Sequence, residues 1–588
     1  MRSVKDSLAF AAAITVLAVS ASGQPAPDPP ELQPVTGNDY AAGPTARVWV
    51  PTRHGILAVD LTLPQLEDGE RVPAILTHTP YAALGVTSST QWVRRGYAVA
   101  TAHVLGTGDS GGCWDYGGKR ERESAFDLVE WLGGVALDGS PSPAAAWTNG
   151  KVGMIGASYD GTTANAAAAE APPHLVTIVP EVAISDWYGY AYHDGVRYFM
   201  MDPVQRQGLV IDEQGFDTPL SFDFAYAIAP TRNRDNGFEQ RLLERACAGV
   251  ADKIEHTIRG YETDPDFDAF WQERSYLRDA ARVGEANIAV LVEGGWRDYN
   301  VKHSESSRWF EAIPVDDPDT EADEGVPYKM LVMGQSAHGA ADPEFNYPLL
   351  LHAWFDHFLY GYDTNITAQP QALSKANDGV VRRDATWPPP GTEDVALHLR
   401  ADGRLTLEPP AADEGTSAYL DHGLMTESEA LRSRGGEWML WFETEPLDSE
   451  TRIAGLPALD LWASTLGTST HFTPVLFDLG EAGTPSSLCA FLPPTELACT
   501  ISRGFLNARH HDGLEEGTDL VPGEPYRARV RLIDNDWVVP AGHRIGLALM
   551  SSNAWWALPD QQRALNTILH DAEHPSALVL PIVGGLAT

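Results

Sequence analysis

One stretch of this 588-residue chain narrows its fold more than any other: Val152-Gly-Met-Ile-Gly-Ala-Ser-Tyr-Asp-Gly161, which runs on into Thr-Thr-Ala-Asn-Ala-Ala-Ala-Ala169. An apolar run that ends in Gly-x-Ser-x-x-Gly and passes into a row of small residues reads as a buried strand, a sharp turn and a helix pressed against that strand. Side chains are small there because strand and helix have no room for larger ones. Two other serines stand in glycine-rich strings, Ser110 in "GDSGG" and Ser336 in "GQSAHG".

Context separates the three. A nucleophile in "GDSGG" would require His, Asp and Ser in that order on two β-barrels, and His103 lies too close upstream for that arrangement. A glycine-rich turn after a strand accounts for Ser110. Ser336 follows a strand but precedes the loop "AADPEFNYP". Ser158 alone has a strand before it and a helix after it, the setting of the nucleophile elbow of α/β-hydrolases. In that fold the acid and then the histidine follow the serine. Asp298 comes just after "AVLVEGGW" and His338 just after "MLVMG", both at strand ends. Glu293 and Asp186 are alternative acids, but Glu293 falls within its strand and Asp186 precedes an inserted segment. His352 and His357 lie on an aromatic helix, and His510 and His511 lie in the β-rich tail.

Residues 45–185 alternate strand-like and helix-like runs, beginning with a hairpin over "ARVWVPTR" and "LAVDLTLP". Such alternation predicts a mostly parallel sheet covered by helices. Aromatic and charged residues mix over 186–280, as in "SDWYGYAYHDGVRYFMMD", and "FEQRLLERACAGVADKIEH" has helical spacing; this reads as a helical lid. The α/β pattern resumes over 281–372. From 373 to 588 short alternating runs separated by Gly, Pro and Asp turns predict an all-β domain.

The formal net charge of −40 is spread along the chain and excludes a nucleic-acid footprint, which needs clustered basic residues. "MRSVK" followed by "LAFAAAITVLAVSAS" reads as a signal peptide over residues 1–23, then a flexible segment over 24–44. A secreted or periplasmic protein without a membrane anchor is expected. Four cysteines in an exported chain suggest two disulfides: Cys489 with Cys499 across a short loop, and Cys113 with Cys247 as the remaining pair. None of the four cysteines has a second Cys or a His at metal-ligand spacing, so no metal site is expected, and no cofactor is expected either.

The strings "GMIGASYDGTTAN" and "TIVPEVAISDWYGY" resemble the X-prolyl dipeptidyl-peptidase and cocaine-esterase-like branch of the α/β-hydrolases, which carries Gly-x-Ser-Tyr-x-Gly at the elbow. "TPY" at 79–81, "GTGDSGG" at 106–112, "GGWRDYNVK" at 294–302 and "WFDHFLYG" at 354–361 also match, as do "PGEPYRARVRL" and "PAGHRIGLALMSS" near the C-terminus. The resemblance implies an α/β-hydrolase core with a lid insertion and a C-terminal jelly roll. It implies Ser158, Asp298 and His338 as the catalytic triad, and the Tyr159 N–H with the Tyr81 hydroxyl as the oxyanion hole.

The expected activity is release of Xaa-Pro dipeptides from peptide N-termini, with acyl-ester hydrolysis as the alternative and a catalytically silent carbohydrate-binding protein as a remote one. The expected partner is a small peptide or ester. The oligomeric state is left open, with a homodimer the first candidate. A dipeptide-releasing enzyme must hold a free α-ammonium, and a buried ammonium needs a carboxylate. Glu181, Asp186, Asp194 and Asp202 are candidates, with Trp187 and Tyr188 as an apolar wall for the proline ring. Peptide mapping without reductant should recover Cys113 joined to Cys247 and Cys489 joined to Cys499; free thiols or crossed pairs would refute the pairing.

Overall fold

The computed structural model describes residues 29–81, 90–198, 245–250, 253, 265–314, 328–481, 491–492, 496–560 and 562–586. Its centre is a ten-stranded sheet. Strands β1 (Ala46–Thr52) and β2 (Gly55–Thr62) form the opening antiparallel hairpin. Then come β3 (Val72–Thr79), the short helix α1 (Thr90–Arg94), β4 (Ala98–His103), β5 (Thr148–Ala157) and β6 (Leu175–Glu181). A small hairpin, β7 (Tyr192–His193) with β8 (Val196–Arg197), stands outside the sheet. The sheet resumes with β9 (Ala289–Gly295), β10 (Lys329–Gly334), β11 (Ala372–Lys375) and β12 (Val381–Asp384). The spatial order is β1-β2-β4-β3-β5-β6-β9-β10-β11-β12, parallel from β4 to β11.

Strands β9 and β10 are buried at every residue, as expected of parallel strands covered on both faces. On one face lie the helices α2 (Lys119–Leu132) and α3 (Tyr159–Glu170), whose Leu128 and Ala167 join Met154 and Val290 in the largest apolar cluster. On the other face Trp354 and Phe355, from the helix Tyr347–Phe355, pack with Leu291 and Val332. The alanine row of α3 is buried throughout, so its small side chains set how closely α2 and the sheet approach.

One expectation is corrected. The sheet does not end near residue 372: β11 and the antiparallel edge strand β12 belong to it, so this layer runs to Asp384. Of the inserted segment read as a helical lid, residues 199–244, 251–252 and 254–264 lie outside the described residues. Its described part holds the five-residue helix α4 (Trp187–Ala191), the β7–β8 hairpin, a helical turn at 248–250 and a second short helix at Ala269–Glu273. Trp187, Trp271 and Tyr276 from it are buried in the main cluster. Most of the helical string at 238–256 lies outside the described residues.

The C-terminal domain packs a nine-stranded sheet on a five-stranded one around Leu459, Leu476, Val530, Leu547 and Leu580. It contains one helix that the all-β reading missed, Glu427–Ser433. Thr426 and Glu429 form a capping box at its start, a signal present in "TESE". Glu427 on that helix pairs with Arg503, and both side chains are fully buried. The Arg503 guanidinium lies over two rings that also pack on each other, Tyr299 from the catalytic domain and Trp556. Glu427→Ala would strand that cation in a dry interface. It should cost about 3–5 kcal/mol, read as a lower midpoint in urea denaturation of the full chain.

Candidate active site

Ser158 occupies the turn between β5 and α3 with φ 61° and ψ −126°. A non-glycine residue there stores roughly 1–3 kcal/mol of strain. Its neighbours allow the turn. A Cβ at Gly156 would lie 2.5 Å from the Asp160 side chain, and one at Gly161 would lie 2.5 Å from the Gly156 carbonyl oxygen. The turn is held by the Ser158 N–H donating to the Glu181 carbonyl (2.8 Å) and the Thr162 N–H donating to the Ser158 carbonyl (2.9 Å).

Tyr81 stands two residues past β3, where its N–H donates to Thr79 Oγ1 at 3.0 Å. Its hydroxyl donates to Ser158 Oγ at 3.2 Å and accepts from the Tyr159 N–H at 3.3 Å. Two donors therefore converge beside the serine oxygen. Beyond β9, Asp298 is buried, and its Oδ1 accepts from the N–H groups of Asn300 and Val301, each at 3.1 Å. Its Oδ2 meets His338 Nδ1 at 2.8 Å, and His338 stands just beyond β10. All four side chains rise from carboxyl ends of neighbouring strands in one sheet, where open α/β sheets collect their ligands.

Below the elbow lies a layer that no local sequence signal announced. The Tyr159 ring is buried; its hydroxyl donates to Glu121 Oε2 at 3.1 Å and accepts from Trp114 Nε1 at 3.2 Å. Burial pushes the Glu121 carboxyl up to about 7. Trp114 is fixed in turn by the Cys113–Cys247 disulfide, with its N–H donating to the Arg245 carbonyl and its own carbonyl accepting from the Cys247 N–H. Cys499 is also disulfide-bonded, while Cys489 lies outside the described residues. Asp160, half-buried beside the elbow, is pushed up to about 7 by desolvation. His303, packed on the rings of Trp296 and Tyr299, is held down to about 4 by burial and stays neutral.

The rival serines have structural jobs. Ser110 Oγ donates to the His103 carbonyl at 2.7 Å and accepts from the Ala58 N–H at 2.9 Å, pinning a turn against β2. Ser336 packs its backbone so tightly on Gly295 that a Cβ there would lie 2.1 Å from the Ser336 carbonyl oxygen. Glu293, the alternative acid, points to no histidine; Asp298 takes that place.

Residues 55–340 match the family described as X-Pro dipeptidyl-peptidase (S15 family), and residues 364–579 match the X-Pro dipeptidyl-peptidase C-terminal non-catalytic domain. The chain belongs to the X-Pro dipeptidyl-peptidase (S15) family. It is a serine hydrolase. A Streptomyces avermitilis protein provisionally named an Xaa-Pro dipeptidyl-peptidase is 28% identical over 92% of this chain and 83% of that relative. Cocaine esterase of Rhodococcus sp. is 27% identical over 93% of this chain and all of that protein. Among solved structures, an aminopeptidase from a Thaumarchaeota archaeon superposes with a TM-score of 0.67 at 20% identity, covering 96% of this chain and 100% of that one. An α-amino acid ester hydrolase does so at 0.65 and 21%, covering 97% and 100%.

Within this S15 chain, the residues read as a substrate wall fall elsewhere. Trp187 is fully buried, packs on Tyr116 and Tyr159, and donates its indole N–H to Tyr276, so it supports the elbow from beneath and offers no surface to a proline ring. Tyr188 stacks on Tyr192 and donates its hydroxyl to the Pro265 carbonyl at 2.5 Å. The carboxylates are committed as well. Glu181 accepts from the Tyr347 hydroxyl at 2.8 Å, Asp186 caps α4, and Asp194 forms a two-pronged ion pair with Arg531 of the β domain. Asp202 lies outside the described residues. Asp186, Tyr188 and Asp194 border a cavity of about 310 Å3 between the insertion and the β domain. Neither Ser158 nor Tyr81 lines it. Tyr81→Phe removes one converging donor without opening a void. It should lower kcat/KM by about a hundredfold at unchanged melting temperature; a near-wild-type rate would remove Tyr81 from the reaction.

Proposed function

We propose that this chain is an exported peptidase that removes Xaa-Pro dipeptides from peptide N-termini through an acyl-enzyme. The observation that carries the proposal is the convergence of the Tyr81 hydroxyl and the Tyr159 N–H beside Ser158 Oγ, on the same sheet edge as the Asp298–His338 pair. Ser158 Oγ attacks the acyl carbonyl, and His338 Nε2 takes the hydroxyl proton as general base. Asp298, hydrogen-bonded to Nδ1, fixes the tautomer and stabilises the imidazolium. The carbonyl oxygen, now an oxyanion, displaces the mutual contact between Tyr81 and Tyr159 and takes both donors. His338 then returns the proton to the leaving amine. Water, deprotonated by the same histidine, releases the acid product.

Export is supported by the hydrophobic N-terminal run and by the Cys113–Cys247 disulfide, a bond characteristic of oxidising compartments. Among the described residues no helix is long and apolar enough to cross a membrane. A second reading, hydrolysis of acyl esters, is favoured by the near full-length similarity to cocaine esterase, since one triad serves both leaving groups.

The substrate's free N-terminus separates the readings. A dipeptidyl-peptidase holds the α-ammonium by a charge-assisted hydrogen bond, so acetylating it should cut kcat/KM by about tenfold or more. Hydrolysis of Ala-Pro anilide and acetyl-Ala-Pro anilide, measured beside an aryl butyrate, tests this. Equal cleavage of the two anilides, with faster turnover of the ester, would overturn the peptidase reading in favour of the esterase.

A further inference from the structure

Directly behind the Asp298–His338 pair, two glutamates face each other at the end of the sheet. Glu181 is the last residue of β6 and Glu293 lies near the end of β9, and the two are register partners across the strand pair. Their backbones are tied to the elbow. The Glu181 carbonyl accepts the Ser158 N–H, and the Glu293 carbonyl accepts the Val182 N–H, each within 2.9 Å. Glu293 is 1% exposed, and its Oε1 is buried without a hydrogen-bond partner.

The groups that act on Glu293 are acidic. They are Glu181, Asp298 on the turn that follows, and Asp342 on the loop that carries His338. Tyr347 also faces the pair, but its proton goes to Glu181. The cations of this edge are otherwise engaged: Lys375 on β11 by Asp342 at 3.4 Å and Glu344 at 3.1 Å, and Arg297 by donating to the Gln335 side chain at 3.1 Å. Among the described residues no ion pair reaches either glutamate, and with Glu293 buried and Glu181 half-buried beside it, ionising both is unfavourable. Burial first, and the Glu181 charge second, push the Glu293 carboxyl well above the usual carboxylate range.

We propose that Glu293 is a positioning residue held as a neutral carboxylic acid, so that it adds no further negative charge beside the Asp298–His338 pair. The proposal rests on the Asp298–His338 assignment made above. Its function follows from electrostatics. A second anion beside the pair would stabilise the imidazolium before reaction and raise the pH needed to free the base. A neutral Glu293 fills the same volume, keeps β6 and β9 in register beneath the triad, and adds no charge that would favour the imidazolium.

The test is infrared difference spectroscopy of wild type against Glu293→Gln at neutral pH, joined to pH profiles. The wild type should carry a protonated-carboxyl carbonyl band that the variant lacks. The same comparison made in a Ser158→Ala background needs no turnover, so it reads Glu293 even if the triad assignment were to fail. In catalysis, Glu293→Ala should lower kcat about tenfold at unchanged KM by loosening the strand ends, and Glu293→Gln should recover most of that loss. The acid limb of kcat/KM in Glu293→Gln should stay within about 0.2 pH units of wild type, because a neutral group replaces a neutral group. Absence of the band in wild type would overturn the proposal. So would an acid limb moved down by about half a unit or more, the mark of a real charge removed. Should Glu293→Ala fail to fold, the isosteric Gln variant still decides.

Discussion

Everything at this site depends on one strained residue. Ser158 sits at φ 61° because β5 and α3 meet at an angle that no relaxed L-residue spans. The strain persists only because the surroundings over-determine it. Gly156 and Gly161 let the backbones touch, the Glu181 carbonyl holds the serine N–H, and the alanine row of α3 brings the helix onto the sheet. The reward is geometric. The serine oxygen stands clear of the sheet, and the next N–H, that of Tyr159, faces the Tyr81 hydroxyl beside that oxygen.

The elbow is braced from below by polar groups in an apolar setting. Trp114, Tyr159 and Glu121 form one hydrogen-bonded chain, and the Cys113–Cys247 bond fixes its outer end to the inserted segment. The β domain performs a matching task on the acid side. Arg503 and Trp556 press on Tyr299, the residue after Asp298. The Trp296 indole donates to Ser374, which donates to Asp536 of the β domain, itself paired with Arg452. The C-terminal domain thus helps to fix the turn that carries Asp298, and its buried ion pairs are placed where a shift of an ångström would be felt there.

Much of the layout was legible because strand-turn-helix chemistry is local. Ser158 could be told from Ser110 and Ser336 by what precedes and follows each, and strand ends singled out Asp298 and His338. The helix Glu427–Ser433 was equally legible through Thr426 and Glu429, but it was hidden in a tail dominated by alternating runs. Trp187 was not legible: an aromatic residue in a polar stretch reads the same whether it lines a pocket or, as here, fills the core under the elbow. The Arg503–Tyr299 contact, and the seating of β11 beside β10, depend on which distant segments meet, and no short window of sequence contains both partners.

The central sheet is threaded in two passes. Strands β1 to β6 are laid down before the chain departs at Val182, and β9 to β12 only after it returns near Ile288. In the proposed mechanism the nucleophile belongs to the first pass, while the acid and the base belong to the second. On that assignment a chain still being made carries a serine with nothing to deprotonate it. Synthesis itself would then delay the onset of hydrolysis until β9 has closed on β6 and β10 on β9, with the far half of the fold in place.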